Sequence, residues 1–298
     1  MTKLSKTITY LPAIQGDTRI RIFRRTFPDM EEFAGMYVDA YAIISTRYVV
    51  ICDTLLCPED METVMTTLGP ELASGRQLLV INSHADWDHA WGNGYFVGQR
   101  SAPILAHDAC RTRLLSKEAQ EQLTTYQKRE TTFHNVTLTA PALTFTYDLT
   151  LYGDDLTFTL FAAPGHTIDS SALWIPELRL LLAFDAIEAP FPLLESADGV
   201  QPLIATLQHF LALDPLHVLC SHSTADSALI RKNLDYIQTL VQRAAQITHR
   251  PTNAELEHAS TLIASPFAEF SDDETDASAF YRQAHEENIR YILQTYHA

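Results

Sequence analysis

The apolar run Leu78-Leu79-Val80-Ile81 leads directly into Asn82-Ser83-His84-Ala85-Asp86-Trp87-Asp88-His89. A buried strand that empties into two imidazoles and two carboxylates within six residues constrains the fold more than any other stretch. Neutral imidazole and carboxylate are the side chains that ligate zinc, iron and manganese. In a turn after a strand, side chains two apart can face the same way. His84 and Asp86 are therefore candidates for one ion, and the adjacent Asp88 and His89 for a second. The plain alternative is a polar loop with incidental histidines.

Other candidate ligands share this context, each just past an apolar strand: His166 after Thr157–Ala163, Asp185 after Leu178–Phe184 and His222 after His217–Cys220. A lone histidine at a strand end is usually a satisfied structural group. Several strand ends carrying such residues match the way α/β proteins assemble sites at one sheet edge. Between them the patterning alternates. β-Branched and apolar residues recur at period two over Thr18–Arg24, Tyr37–Ser45, Tyr48–Cys52 and much of 136–163, which predicts strands, with a hairpin turn at Gly153-Asp154-Asp155. Helices are expected over 59–68, 108–128, 200–213 and 226–246.

The order of motifs resembles the metallo-β-lactamase superfamily. His84-Ala85-Asp86-Trp87-Asp88-His89 stands for its His-x-His-x-Asp-His turn, Pro164-Gly165-His166-Thr167 for its Pro-Gly-His-Thr segment, and Asp185 and His222 for its later aspartate and histidine. The resemblance spans roughly residues 18–246. It implies an α/β (α+β) fold, an αββα four-layer sandwich with two mixed β-sheets, and metals at one edge. It also implies one ion on His84, Asp86 and His166, a second on Asp88, His89 and His222, and Asp185 bridging them. Two divalent metal ions, zinc by default and iron or manganese otherwise, would activate a water or hydroxide. Asp88 would orient that water and accept its proton. Asp53, which ends Val49–Cys52, resembles the family's structural aspartate near the site.

Position 86 departs from the pattern, since histidine is usual there. Aspartate adds a negative charge and shifts preference from zinc toward iron or manganese; the related flavodiiron proteins carry a glutamate at this place. Trp87, between two ligands, is the aromatic residue best placed to wall a substrate pocket, whereas Trp91 and Phe96 are expected to pack the turn. Cys220 reads as a small core residue. The loop Glu188-Ala189-Pro190-Phe191-Pro192 either shapes the substrate site or merely connects.

The function expected is a metallo-hydrolase, β-lactamase-like, attacking a small-molecule ester, lactone, thioester or amide. The alternatives are a di-iron or iron redox enzyme of the same fold and a non-catalytic metal-binding protein. The formal net charge of −16 argues against nucleic acid and anionic membrane as partners. Four unpaired cysteines and the lack of an apolar leader or spanning run point to a cytoplasmic chain. Residues 1–250 are expected to form the catalytic domain. Residues 251–298 are expected to form an acidic helical extension, either packed on that domain or serving a homodimer. Helices are predicted over 254–264 and 277–296, with a cap at Ser271-Asp272-Asp273-Glu274.

Overall fold

The computed structural model describes residues 7–11, 16–28, 30–33, 35–224, 226–271 and 278–297. Two β-sheets, of seven and five strands, form its centre. The first runs in the spatial order β1 (Ile8–Leu11), β2 (Ile20–Thr26), β3 (Tyr37–Ile44), β4 (Tyr48–Cys52), β5 (Gln77–Ile81), β6 (Ile104–His107) and β7 (Leu143–Phe145). Pairing is antiparallel up to β4 and parallel from β4 to β7. The second sheet holds β8 (Asp148–Tyr152), β9 (Thr157–Ala162), β10 (Ser171–Ile175), β11 (Leu180–Leu182) and β12 (His217–Leu219). Its strands are antiparallel except for the β11–β12 pair, which is parallel. Both sheets are therefore mixed.

Alternation along the strands sets the layers. Tyr41, Ile43, Val50 and Cys52 share one buried cluster with Phe158, Leu160, Leu173 and Leu182, which is the seam between the sheets. Their neighbours Ala42, Val49 and Ile51 turn the other way. They cluster with Met61, Val64 and Leu68 of α1 (Pro58–Ala73). The helices between β5 and β7 are α2 (Trp87–Ala90), α3 (Asp108–Leu114) and α4 (Lys117–Arg129). Ala172 and Leu181 cluster likewise with Leu203, Leu207 and Phe210 of α5 (Val200–Leu213), and α6 (Ser227–Ala244) adds Ile230, Leu234 and Ile237. Each Val, Leu, Ile, Met or Phe side chain among them contributes roughly 2 kcal/mol on burial, which favours docking the helices on the outer faces of the two sheets. The result is the helix–sheet–sheet–helix sandwich. Three further helices follow: α7 (Asn253–Leu256), α8 (Ala259–Leu262) and α9 (Ser278–His297). No described helix is long and apolar enough to cross a membrane.

Some local expectations are corrected. The helix expected over 108–128 is two helices, because the Ser116 hydroxyl accepts from the Ala119 amide at 3.1 Å and starts α4 afresh. The period-two stretch 136–163 does not lie in one sheet. It has no strand before Leu143 and passes from the first sheet to the second between Phe145 and Asp148. Alternation reports a strand's two faces but not the sheet it joins. The helix expected over 254–264 is the short pair α7 and α8. The cap expected at Ser271-Asp272-Asp273-Glu274 lies, apart from Ser271, outside the described residues.

Candidate metal centre

Strand ends deliver the site. Asp53, just past β4, sits at φ +66°, and Phe184, just past β11, at φ +50°. These left-handed turns break the strands, and Asp53 and Asp185 are both buried there. Gly165 (φ +148°) has a comparable constraint: a Cβ there would lie 2.5 Å from the Leu203 Cα of α5, so the segment carrying His166 can pass α5 only as glycine. The single turn α2 presents Asp88 and His89. Two contacts pin the loop before it. The Ser171 amide donates to the Ser83 carbonyl at 2.9 Å, and the Ala85 amide donates to Asp169 Oδ2 at 2.8 Å. Asn82 and Asn93 exchange side-chain hydrogen bonds of 3.0 and 2.8 Å behind it.

One atom sits at the centre. Asp185 Oδ2 lies 3.6 Å from His84 Nε2, 3.1 Å from His89 Nε2, 3.7 Å from His166 Nε2 and 3.2 Å from His222 Nε2. Asp86 Oδ2 lies 3.3 Å from His84 Nε2 and 3.5 Å from His166 Nε2. Asp88 reaches His89 Nε2 at 3.6 Å and His222 Nε2 at 3.5 Å. His84, Asp86 and His166 thus form one group of close donor atoms, Asp88, His89 and His222 a second, and His84, His89 and Asp185 a third, each with its donors within 4.8 Å of one another.

Each ring is also held from behind by its Nδ1. His166 Nδ1 donates to the Leu193 carbonyl at 3.1 Å and His222 Nδ1 to the Tyr37 carbonyl at 2.8 Å. His89 Nδ1 faces Asp53 Oδ2 at 2.9 Å. His84 Nδ1 lies 2.8 Å from Ser83 Oγ, whose own hydrogen goes to Asp53 Oδ2 at 2.8 Å. These partners assign the proton to Nδ1 and leave the Nε2 lone pairs converging, as metal-ligating histidines require.

The donor set fits a cation. His84 Nε2, His89 Nε2 and Asp185 Oδ1 are buried with no hydrogen-bond partner among the described residues, a costly arrangement unless a ligand answers them. Burial alone would lower the pKa of His89 and His166. The carboxylates of Asp86 and Asp185 instead carry His166 up to about 10, and Asp185 and Asp88 hold His89 well above its ordinary range. Burial likewise acts to raise the Asp185 carboxyl, but His89 and His222 outweigh it and hold the group well below the carboxylate range. The cavity therefore demands positive charge, which protons or metal ions supply.

Several participants have no signature in the local sequence. Arg113 of α3 donates to Asp86 Oδ1 at 2.7 Å and to Asp169 Oδ1, and lies 3.5 Å from Glu195 Oε2. Asp86 thus turns one oxygen to the histidines and gives the other to a guanidinium, so the charge it adds is locally answered. Glu188 is a buried carboxylate that accepts from the Tyr281 hydroxyl of α9; burial pushes its pKa up to about 7. Phe191 is fully buried and stacked on Tyr236 at 4.5 Å, so this part of the 188–192 loop is an anchor. Asn288 of α9 accepts from the Leu194 amide and donates to the Pro192 carbonyl, both at 2.9 Å. Trp87 packs on Phe27, Phe33, Tyr126 and Phe133. Trp91, Phe96 and Cys220 are buried.

Asp53 is the common support of Ser83 and His89, accepting from the Ser83 amide at 2.7 Å as well. Asp53→Ala is expected to lower metal affinity by ~10- to 100-fold, read by competition with a chromophoric chelator. Unchanged affinity would show that the imidazole positions do not depend on it.

The model of the metallo-beta-lactamase superfamily matches residues 35–239. Among solved structures, a metallo-beta-lactamase from Pontibacter korlensis superposes with a TM-score of 0.59 at 14% identity, covering 78% of this chain and 99% of that one. The DIM-1 metallo-beta-lactamase gives 0.58 at 17% identity, covering 78% and 97%. The mono-zinc form of FIM-1 from Pseudomonas aeruginosa gives 0.58 at 14%, covering 79% and 96%. Likeness at such identities speaks to the fold alone. A search of curated proteins returns no match.

Proposed function

The chain belongs to the metallo-beta-lactamase superfamily, and from that premise we propose that it is a metal-dependent hydrolase of small molecules that react at an ester, lactone, thioester or amide carbonyl. The observation that carries this reading is the convergence of four Nε2 atoms on Asp185 Oδ2 at 3.1–3.7 Å. In this reading His84, Asp86 and His166 would hold one ion, Asp88, His89 and His222 would hold the other, and Asp185 would be shared between them. When bound, two divalent cations supply Lewis acidity toward a carbonyl oxygen and bring the pKa of a water into the neutral range.

The protein's own groups do the rest. The Nδ1 contacts fix the four rings before substrate arrives, so no reorganisation is needed at the reacting centre. Asp88 orients the attacking water and takes its proton. Arg113 offsets the charge that Asp86 adds, and with two imidazoles available to each ion zinc is the metal we propose.

The test is turnover on a panel of esters, lactones and thioesters by the metal-loaded protein. Asp88→Ala is expected to cut kcat/KM by ~100- to 10,000-fold while the circular dichroism spectrum stays unchanged. Full activity in that variant would remove Asp88 from the chemistry, and no turnover across the panel would contradict the hydrolase reading.

A further inference from the structure

A cavity of ≈ 600 Å³ opens beside His166, one of the four converging imidazoles. Its far wall is α9, and the turn around Phe33 and the stretch Leu193–Glu195 complete it. Two features of this wall bear on what it holds. The first is aromatic: Phe33 and Phe280 both line it, with ring centroids 6.2 Å apart and planes tilted by 55°. The second is charge: Glu31, Glu195 and Glu287 line it, while its described lining contains no lysine or arginine. Arg113 approaches Glu195 at 3.5 Å. Glu287 accepts from the neutral Gln283 at 2.9 Å, and Glu31 is exposed.

We propose that this cavity selects substrates carrying a cationic nitrogen, an ammonium or quaternary ammonium, on an apolar body whose reacting carbonyl faces His166. Two aromatic rings beside carboxylates are the chemistry that binds such cations: the ring quadrupole attracts the charge and accepts its alkyl groups without demanding hydrogen bonds. The volume suits a medium-sized ligand. The chain's net charge of −16 adds a field that draws cations in and turns anions away. The placement of the carbonyl rests on the hydrolase reading; the charge preference of the cavity does not.

The experiment has a binding arm and a kinetic arm. Benzyltrimethylammonium, which cannot ligate a metal, is titrated calorimetrically into the metal-loaded protein and into the Glu31→Gln/Glu287→Gln double variant. Both positions are at least partly exposed, so this variant is expected to fold. The wild-type protein should bind the cation, with affinity falling as salt is raised, and the variant should bind roughly five- to tenfold more weakly. Phe280→Leu, which keeps an apolar wall but removes a ring, should also weaken binding. Equal affinity in wild type and double variant, or no binding, overturns the proposal. In the kinetic arm, phenylacetylcholine is compared with its uncharged isostere 3,3-dimethylbutyl phenylacetate. A kcat/KM about tenfold higher for the cation supports the proposal, and equal values overturn it. If neither ester is cleaved but cation binding still depends on Glu31 and Glu287, the cavity's preference stands and the placement of the carbonyl at His166 is overturned; the hydrolase reading itself falls only with the whole panel of esters, lactones and thioesters.

Discussion

Asp185→Asn is expected to empty the metal centre and to lower kcat/KM by at least ~1,000-fold. The side chain keeps its size, but the central atom changes. Asp185 Oδ2 is within 3.1–3.7 Å of all four Nε2 atoms. An amide there loses the negative charge and, in one rotamer, points N–H donors at groups that must donate lone pairs to a metal. The charge also matters to the rings themselves, since Asp185 and its hydrogen bond to His222, against the effect of burial, bring that imidazole up to about 10. Asp185→Asn should therefore lose bound metal, and with it the stabilisation that metal confers on the native state. That stabilisation is about 4 kcal/mol when free metal exceeds its dissociation constant a thousandfold. Elemental analysis and thermal unfolding with and without chelator read both effects. A variant that keeps its full metal complement would show that Asp185 is not the shared ligand.

Arg113→Met is expected to destabilise the chelated protein by ~3–5 kcal/mol. Arg113 is held between Asp86 and the wholly buried Asp169; methionine leaves Asp169 without a cation and Asp86 with the imidazoles of His84 and His166 alone. The departure at position 86 makes a finer test possible. Asp86→His removes one of the three carboxylates that Arg113 answers, so the penalty of losing Arg113 should be smaller in that background. A double-mutant cycle on the chelated protein should give a coupling of about 1–3 kcal/mol. Strict additivity would mean that Asp86 and Arg113 act independently. Asp86→His should also tighten zinc, because a third imidazole joins His84 and His166; unchanged metal content after the swap would remove Asp86 from the ligand set.

The chain reveals its centre readily and its supports poorly, for reasons that particular residues make plain. His84, Asp88, His89, His166, Asp185 and His222 stand out because each follows an apolar strand, and these strand ends, β5 of the first sheet and β9, β11 and β12 of the second, meet in space. Asp86 stands out as the exception among them. Arg113, 27 residues further along, has no such mark: it lies on a helix with other charged residues, and only the need to neutralise a buried aspartate singles it out. The ring supports at Leu193 and Tyr37 are backbone carbonyls, which any residue could supply.

The C-terminal helix lies where the sequence places one, Ser278–His297 against 277–296, but what it buries is not legible: it buries the polar residues Tyr281, His285 and Asn288. Each is satisfied by a specific partner: Glu188 for Tyr281, Tyr236 and Ser265 for His285, and Leu194 and Pro192 for Asn288. An amphipathic pattern built on apolar residues cannot show such a face. Glu287 and Phe280 reach the cavity from this helix, a placement that the helix's sequence pattern alone does not show.

Four imidazoles and three aspartates are expected to form a dinuclear centre. Elemental analysis of the purified protein, after dialysis against metal-free buffer, tests that directly. Two divalent ions per chain, zinc in the main, are predicted, with none retained by Asp185→Asn. Protein that is folded and free of every transition metal, and that stays so after incubation with zinc, would contradict it; two irons per chain would keep the centre but overturn the hydrolase.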